Sequence, residues 1–234
     1  MALSPPQSPK TVALPPTAQP LPLENGDRLT VAEFERRYAA DPNVKRAELI
    51  EGIVYVASPL RFRHHANPHA AIIGWLSIYW FATPGTQLAD APTVRLDDHN
   101  EPQPDVVLFR EDSENVEVNE DDYLVGAPEL IVEISGSTAS YDLGSKLDAY
   151  ERNGVAEYLV WSTGDRTLTW LALNNETGKY DALEPDENGI FRSQVFPGLW
   201  LDGLALLEGN LPQVLAIAQK GLGDRGGSST ELST

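Results

Sequence analysis

The chain has 234 residues, 41% of them apolar, enough to bury one good-sized core or two small ones. It contains no cysteine, which excludes disulfides, thiolate metal sites and a cysteine nucleophile. With 35 acidic residues against 17 Lys and Arg, the net charge is -18, a field that repels nucleic acid unless basic residues are gathered on one face.

Residues 1–27 are proline-rich and lack apolar periodicity, so they read as a disordered or extended tail. Neither a signal peptide nor a membrane span is expected: runs such as AAIIGWL fall far short of the ~20 apolar residues a bilayer needs. The expectation is a cytoplasmic protein with a single domain over residues 28–222 and a flexible C-terminal tail over 223–234. Thr30 and Glu33 have capping-box spacing ahead of TVAEFERRYAA, a short helix. AELI and IVYVAS, joined at Glu51-Gly52, read as a hairpin. From about His69 to Trp80 the residues Ile72, Ile73, Leu76 and Trp80 form a helical stripe. TVRL and PDVVLF read as strands, and REDSENVEVNEDD as a mobile surface loop. ELIVEIS is a strand, and YDLGSKLDAYERNG a helix closed by Gly154. AEYLVWS and RTLTWLAL flank a hairpin turn, KYDAL and FRSQVF extend the antiparallel pattern, and LDGLALLEGNLPQVLAIAQKGL closes the chain as one or two helices. This order predicts a mixed α/β (α+β) domain, not a doubly wound one.

Alternate residues of a strand share a face, which groups Asp105 with Val107 and Phe109, and Glu133 with Glu129, Ile131 and Ser135. Glu133 is thus an acid among apolar neighbours, a costly position unless it is paired, and a cation is one solution. On periodicity alone, a salt-bridged or hydrogen-bonded core acid is the better reading. In the next helix Lys146 lies on the apolar stripe of Leu143, Leu147 and Tyr150, where an ammonium needs an anion or a route to solvent. An i,i+4 pair with Asp142 or snorkelling satisfies it, as would placement beside Glu133. His69 shares the stripe of Ile72, Ile73 and Leu76, more often a core histidine's position than a ligand's. Glu48 lies within a strand, and Glu51 precedes a turn glycine as a solvated turn acid would. No P-loop, GxGxxG, GxSxG or HExxH is present, and His64, His65, His69 and His99 lack zinc spacing on one helix face.

These segments carry a resemblance. ELIEG, then Ala57-Ser58-Pro59 before the helix with His69, PDVVLF, PELIVEIS, DLGSKLDAYERNG and VAEYLVW resemble the Uma-two family of restriction endonucleases, within the PD-(D/E)XK nuclease superfamily. The likeness runs from Ala47 to Leu201, and the late FPGLWLD is similar to the family's C-terminal signature. It implies a restriction-endonuclease-like core with flanking helices and hairpins. In it Asp105 and Glu133 hold Mg²⁺, or Mn²⁺ as a substitute, and the backbone carbonyl of Ile134 is a further ligand. Glu48 is the family's early acidic position, with Glu51 near it. The superfamily's lysine two residues after the glutamate is Ser135 here, and Lys146 supplies the ammonium from the following helix, oriented by Asp142. His69 matches the family's histidine, with a structural, substrate-positioning or proton-transfer role. The resemblance implies an endonuclease acting on nucleic acid, with DNA the expected substrate, and a homodimer. The alternative is a non-catalytic or partner-dependent binding module that retains the nuclease fold.

Overall fold

The computed structural model describes residues 20–57, 59–136 and 139–225. Helix α1 (Val31–Ala40) is capped by the Thr30 hydroxyl, which accepts from the Glu33 N–H. Strands β1 (Ala47–Ile50) and β2 (Ile53–Val56) pair around the two-residue turn Glu51-Gly52, with φ of 54° and 69°. Two successive positive φ values make the type I′ turn whose twist suits a hairpin. At Gly52 a Cβ would also stand 3.1 Å from the Leu29 carbonyl oxygen. A π turn (Phe62–Ala66) leads into α2 (Asn67–Phe81). Then come β3 (Thr86–Asp90), β4 (Val94–Arg95), β5 (Val106–Arg110), β6 (Val116–Val118), β7 (Leu124–Gly126) and β8 (Leu130–Ser135). The short α3 (Ala139–Tyr141), a second π turn (Asp142–Lys146) and α4 (Leu147–Asn153) follow, closed by Gly154 in the left-handed conformation. The rest is β9 (Glu157–Ser162), β10 (Thr167–Asn174), β11 (Lys179–Ala182), β12 (Ile190–Arg192), β13 (Trp200–Asp202), α5 (Gly203–Glu208) and α6 (Leu211–Asp224).

The central sheet has six strands in the order β11-β10-β9-β8-β5-β3. Every neighbouring pair is antiparallel except β8 and β9, which run parallel and are joined through the helical segment. Its two faces are buried by different partners. Val106, Leu108, Val132, Ile134 and Leu159 pack with Trp75 and Leu76 of α2 and Leu206 and Val214 of α5 and α6. Val107, Phe109, Ile131 and Val160 pack with Tyr150 of α4 and with the small sheet β4-β7-β6. This second face is the one on which period-two alternation puts Asp105 and Glu133. A third cluster joins α1 to the β1–β2 hairpin. The mixed α/β architecture expected from the order of elements is the fold observed.

Several local expectations differ. Leu23, inside the segment read as a tail, is 5% exposed and joins the third cluster, and the Gly26 N–H donates to Val54; residues 1–19 and 226–234 lie outside those described. The acidic stretch after β5 is not all loop, because Val116 is buried and β6 pairs with β7. TVRL narrows to two residues, and FRSQVF stops at Arg192, paired with β13 in a sheet of its own. The helix after β8 is interrupted at Gly144, whose φ and ψ of -121° and -105° are not helical. Among the described residues no helix is long and apolar enough to cross a membrane.

Candidate active site

The register of β5 against β8 pairs Val106 with Val132, so the next residues outward, Asp105 and Glu133, meet on one face. Both are buried, at 2% and 3% exposure. Asp105 is held from three directions. Its Oδ2 accepts from the Ile134 N–H at 2.7 Å, and its Oδ1 lies 3.0 Å from His65 Nε2 and 3.4 Å from an Arg46 guanidinium nitrogen. Burial works against its ionisation, but the hydrogen bond and charge of His65, the Ile134 N–H and the Arg46 charge outweigh it and hold the carboxyl below its ordinary range.

Glu133 Oε1 accepts from Lys146 Nζ at 2.8 Å and from the Tyr150 hydroxyl at 3.0 Å. The same ammonium donates to Glu48 Oε1 at 2.8 Å and stands 4.0 Å from Asp142 Oδ1. Glu48 reaches this point from β1, where it also accepts from the Gln103 N–H. Burial raises the Glu133 carboxyl well above its ordinary value; Lys146 opposes this, and Asp105, Asp142 and Glu48 add to it. Burial would lower the Lys146 ammonium, but Glu133, Glu48 and Asp142 raise it, so it keeps its proton. Tyr141 closes the cluster: its ring lies against Tyr55, tilted by 40° with centroids 4.3 Å apart, and 5.5 Å from Lys146 Nζ.

Four carboxylates thus gather around two permanent cations, Lys146 and Arg46. Among the described residues no three His, Asp or Glu side chains converge as a ready-made metal cage. The donor set still fits a hard divalent ion. It consists of oxygens from two adjacent strands, it carries excess negative charge, and Mg²⁺ commonly takes one or two carboxylates and fills its shell with water.

The structure brings Asp105, Glu133, Glu48, Lys146 and Asp142 together, but leaves Glu51 outside. Glu51 pairs with Arg152 on the surface, as its place in a turn dictates. His69 Nε2 contacts the main-chain carbonyl oxygen of Asp105 at 3.0 Å and Asp90 at 3.2 Å, not the carboxyl cluster. Ser135 is fully buried, and its carbonyl accepts from the Thr163 N–H. Ile134 contributes its N–H to Asp105 in addition to the carbonyl considered from sequence. Sequence reasoning missed His65 and Arg46. His65 stands four residues before His69, a spacing that could have flagged it; Arg46, just ahead of a strand, carries no signal.

A family sequence model described as "Putative restriction endonuclease" matches residues 31–206. Among solved structures, the chain is similar to a crystal structure titled a "putative nuclease belonging to DUF820" from Anabaena variabilis. The TM-score is 0.57 at 13% identity, over 76% of this chain and 99% of that one, a likeness of fold. No curated protein matches the chain.

Proposed function

The chain belongs to the Uma2 family, and we propose that it is a Mg²⁺-dependent endonuclease that hydrolyses phosphodiester bonds of DNA. The observation that carries this reading is the convergence of Glu133, Glu48 and Asp142 around one buried lysine, with buried Asp105 brought beside Glu133 by the register of β5 and β8. Asp105 and Glu133 would hold Mg²⁺, or Mn²⁺ in its place, with the Ile134 carbonyl as a further donor. An ion held there would supply Lewis-acid polarisation of the phosphodiester and a lower pKa for a bound water.

The remaining work falls to the chain's own groups. Lys146 keeps its proton and sets a fixed positive charge beside Glu133, where negative charge builds on the phosphate oxygens. Glu48 and Asp142 hold that ammonium in position, and Tyr150 steadies Glu133. His65 and the Ile134 N–H fix the Asp105 carboxylate, while His69 steadies the main chain at the same residue. A lysine carried by the helical segment replaces the strand lysine whose place Ser135 takes.

The test pairs calorimetric titration of Mg²⁺ or Mn²⁺ into the wild type and Asp105→Ala with a plasmid-nicking assay. Binding lost in the variant, together with metal-dependent nicking, supports site and activity alike. Binding without nicking favours a module that keeps the fold and needs a partner, a reading in line with the net charge of -18. No binding by the wild type at millimolar metal overturns the metal centre. The homodimer that the family resemblance implies is checked by sedimentation.

A further inference from the structure

A chain of net charge -18 that acts on a polyanion must present cations somewhere, so the placement of each basic side chain is informative. Most are spent on carboxylates. Arg36 and Arg37 bind Glu33, Arg95 binds Glu35 and Glu101, and Arg152, Lys179 and Arg192 bind Glu51, Glu151 and Asp186. Arg61 and Arg63 are different. Both are exposed, and among the described residues neither side chain makes an ion pair or a hydrogen bond. Between them Phe62 is 70% exposed, and Leu60 before them is 56% exposed.

This segment lies at the candidate site. It is the π turn whose His65 reaches Asp105 Oδ1 at 3.0 Å. The turn is pinned over the ends of β8 and β9, because the Thr163 hydroxyl donates to the His64 carbonyl at 2.9 Å and a Cβ at Gly136 would stand 3.5 Å from His64. Thr163 begins the β9–β10 turn, which adds a third exposed arginine without an ion pair, Arg166, beside one exposed acid, Asp165. Three exposed arginines without an ion pair and an uncovered aromatic ring therefore lie along this rim; among the described residues Arg28, Lys45 and Lys220 also make no ion pair but have no such exposed ring between them.

Resting on the nuclease reading, we propose that this rim, Arg61-Phe62-Arg63 with Arg166, grips nucleic acid that has an unpaired base beside the scissile phosphate. The arginines neutralise phosphates, and the Phe62 face stacks on the base. Stacking on an exposed ring needs a base outside the duplex stack, and arginines beside an aromatic suit a single strand or a strand junction. In a fully paired duplex the base faces are occupied and Phe62 gains no partner, so the rim selects single-stranded or splayed substrate.

The test measures fluorescence anisotropy of labelled single-stranded, forked and fully paired oligonucleotides with the full chain, over a salt series. The proteins are the wild type, Phe62→Ala and Arg61→Gln/Arg63→Gln. Three of these side chains are exposed and make no polar contact, so both variants should fold, which circular dichroism checks. The wild type should bind single-stranded and forked DNA more tightly than the duplex. Phe62→Ala should weaken the first two by about tenfold or more and leave the duplex unchanged. The double arginine variant should weaken binding of every substrate and make the log–log salt slope on single strands shallower by about 1.4. Equal weakening of all substrates by Phe62→Ala, or unchanged binding by both variants, overturns the rim. Absence of nucleic-acid binding by the wild type overturns it too. Calorimetry of Mg²⁺ with Asp105→Ala separates these failures from failure of the nuclease reading, since the rim variants should still bind the ion as the wild type does.

Discussion

Replacing Lys146 by methionine keeps most of the buried stem and deletes only the charge. In the structure two carboxylate oxygens lie 2.8 Å from that charge and a third lies 4.0 Å away. At an effective dielectric of about 20 the gross attraction is about 16 kcal/mol, most of it cancelled by the desolvation of the groups involved. Breaking such a buried cluster by removing one partner leaves a net loss of about 3–5 kcal/mol. Urea unfolding of Lys146→Met near neutral pH should show that loss. A second substitution, Glu133→Gln, should return about 1–3 kcal/mol in the Lys146→Met background, because it removes the least tolerable of the stranded charges. The penalty should also shrink as pH is lowered from neutral. The lysine, raised above its ordinary value, stays protonated throughout this range, so the change comes from Glu133, whose raised carboxyl takes up a proton early. A single variant within about 1 kcal/mol of the wild type, or a double variant no more stable than Lys146→Met, would refute the reasoning.

Glu33, hydrogen-bonded to Arg36 and Arg37, has its pKa lowered to about 2. A depressed carboxyl contributes stability above its unfolded value that is lost as pH falls toward the folded one. Glu33→Gln should therefore cost about 0.5–1 kcal/mol near neutral pH, a value kept small by its solvent exposure, with the gap in urea midpoints closing between pH 4.5 and 2. Glu157 is fully buried and accepts from the Ser193 hydroxyl and the N–H groups of Gln194 and Val195. Its replacement by Ala should cost about 2–4 kcal/mol in urea melts, and by Gln clearly less, because the two backbone donors keep an acceptor. At Gly126 φ is +99° and a Cβ would stand 2.1 Å from the Asn115 carbonyl oxygen. Gly126→Ala should lower the thermal midpoint by more than Gly154→Ala, where φ is +85° with open space around it; equal shifts would mean that the close approach is not what demands glycine there.

How legible the molecule was depended on whether a signal is local. Period-two alternation put Asp105 and Glu133 each on an apolar face of its own strand, the family resemblance brought the two together, and an apolar stripe turned Lys146 inward; the register that aligns the acids is visible only in the structure. His65 escaped although it stands four residues before His69, because the helical stripe is legible only from His69 onward and the π turn that carries His65 lies ahead of it. Strand β3 escaped because TQLAD lies at the edge of the sheet and is only partly buried, with no strong alternation to betray it. The isolated pairing of Ile190–Arg192 with Trp200–Asp202, and the parallel run of β8 beside β9, are decided by contacts between distant segments that no local pattern encodes. Glu51 shows the reverse: the family resemblance drew it toward the site, while the reading from its place before a turn glycine, a solvated acid, matches its surface pair with Arg152.

The contact between Lys146 and Glu48 joins residues 98 apart in the chain, and that between Arg46 and Asp105 spans 59. Contacts of such long separation incur a loop-closure entropy before any reward, a cost that slows the folding of chains rich in them. Strands β5 and β8 by themselves align Asp105 and Glu133 as two repelling acids. The helical segment that brings the ammonium, and the hairpin that brings Glu48, must both dock before the repulsion is relieved. The centre therefore exists only where the helical segment and the hairpin are both docked on the sheet, so its integrity reports on the long-range packing of the whole domain.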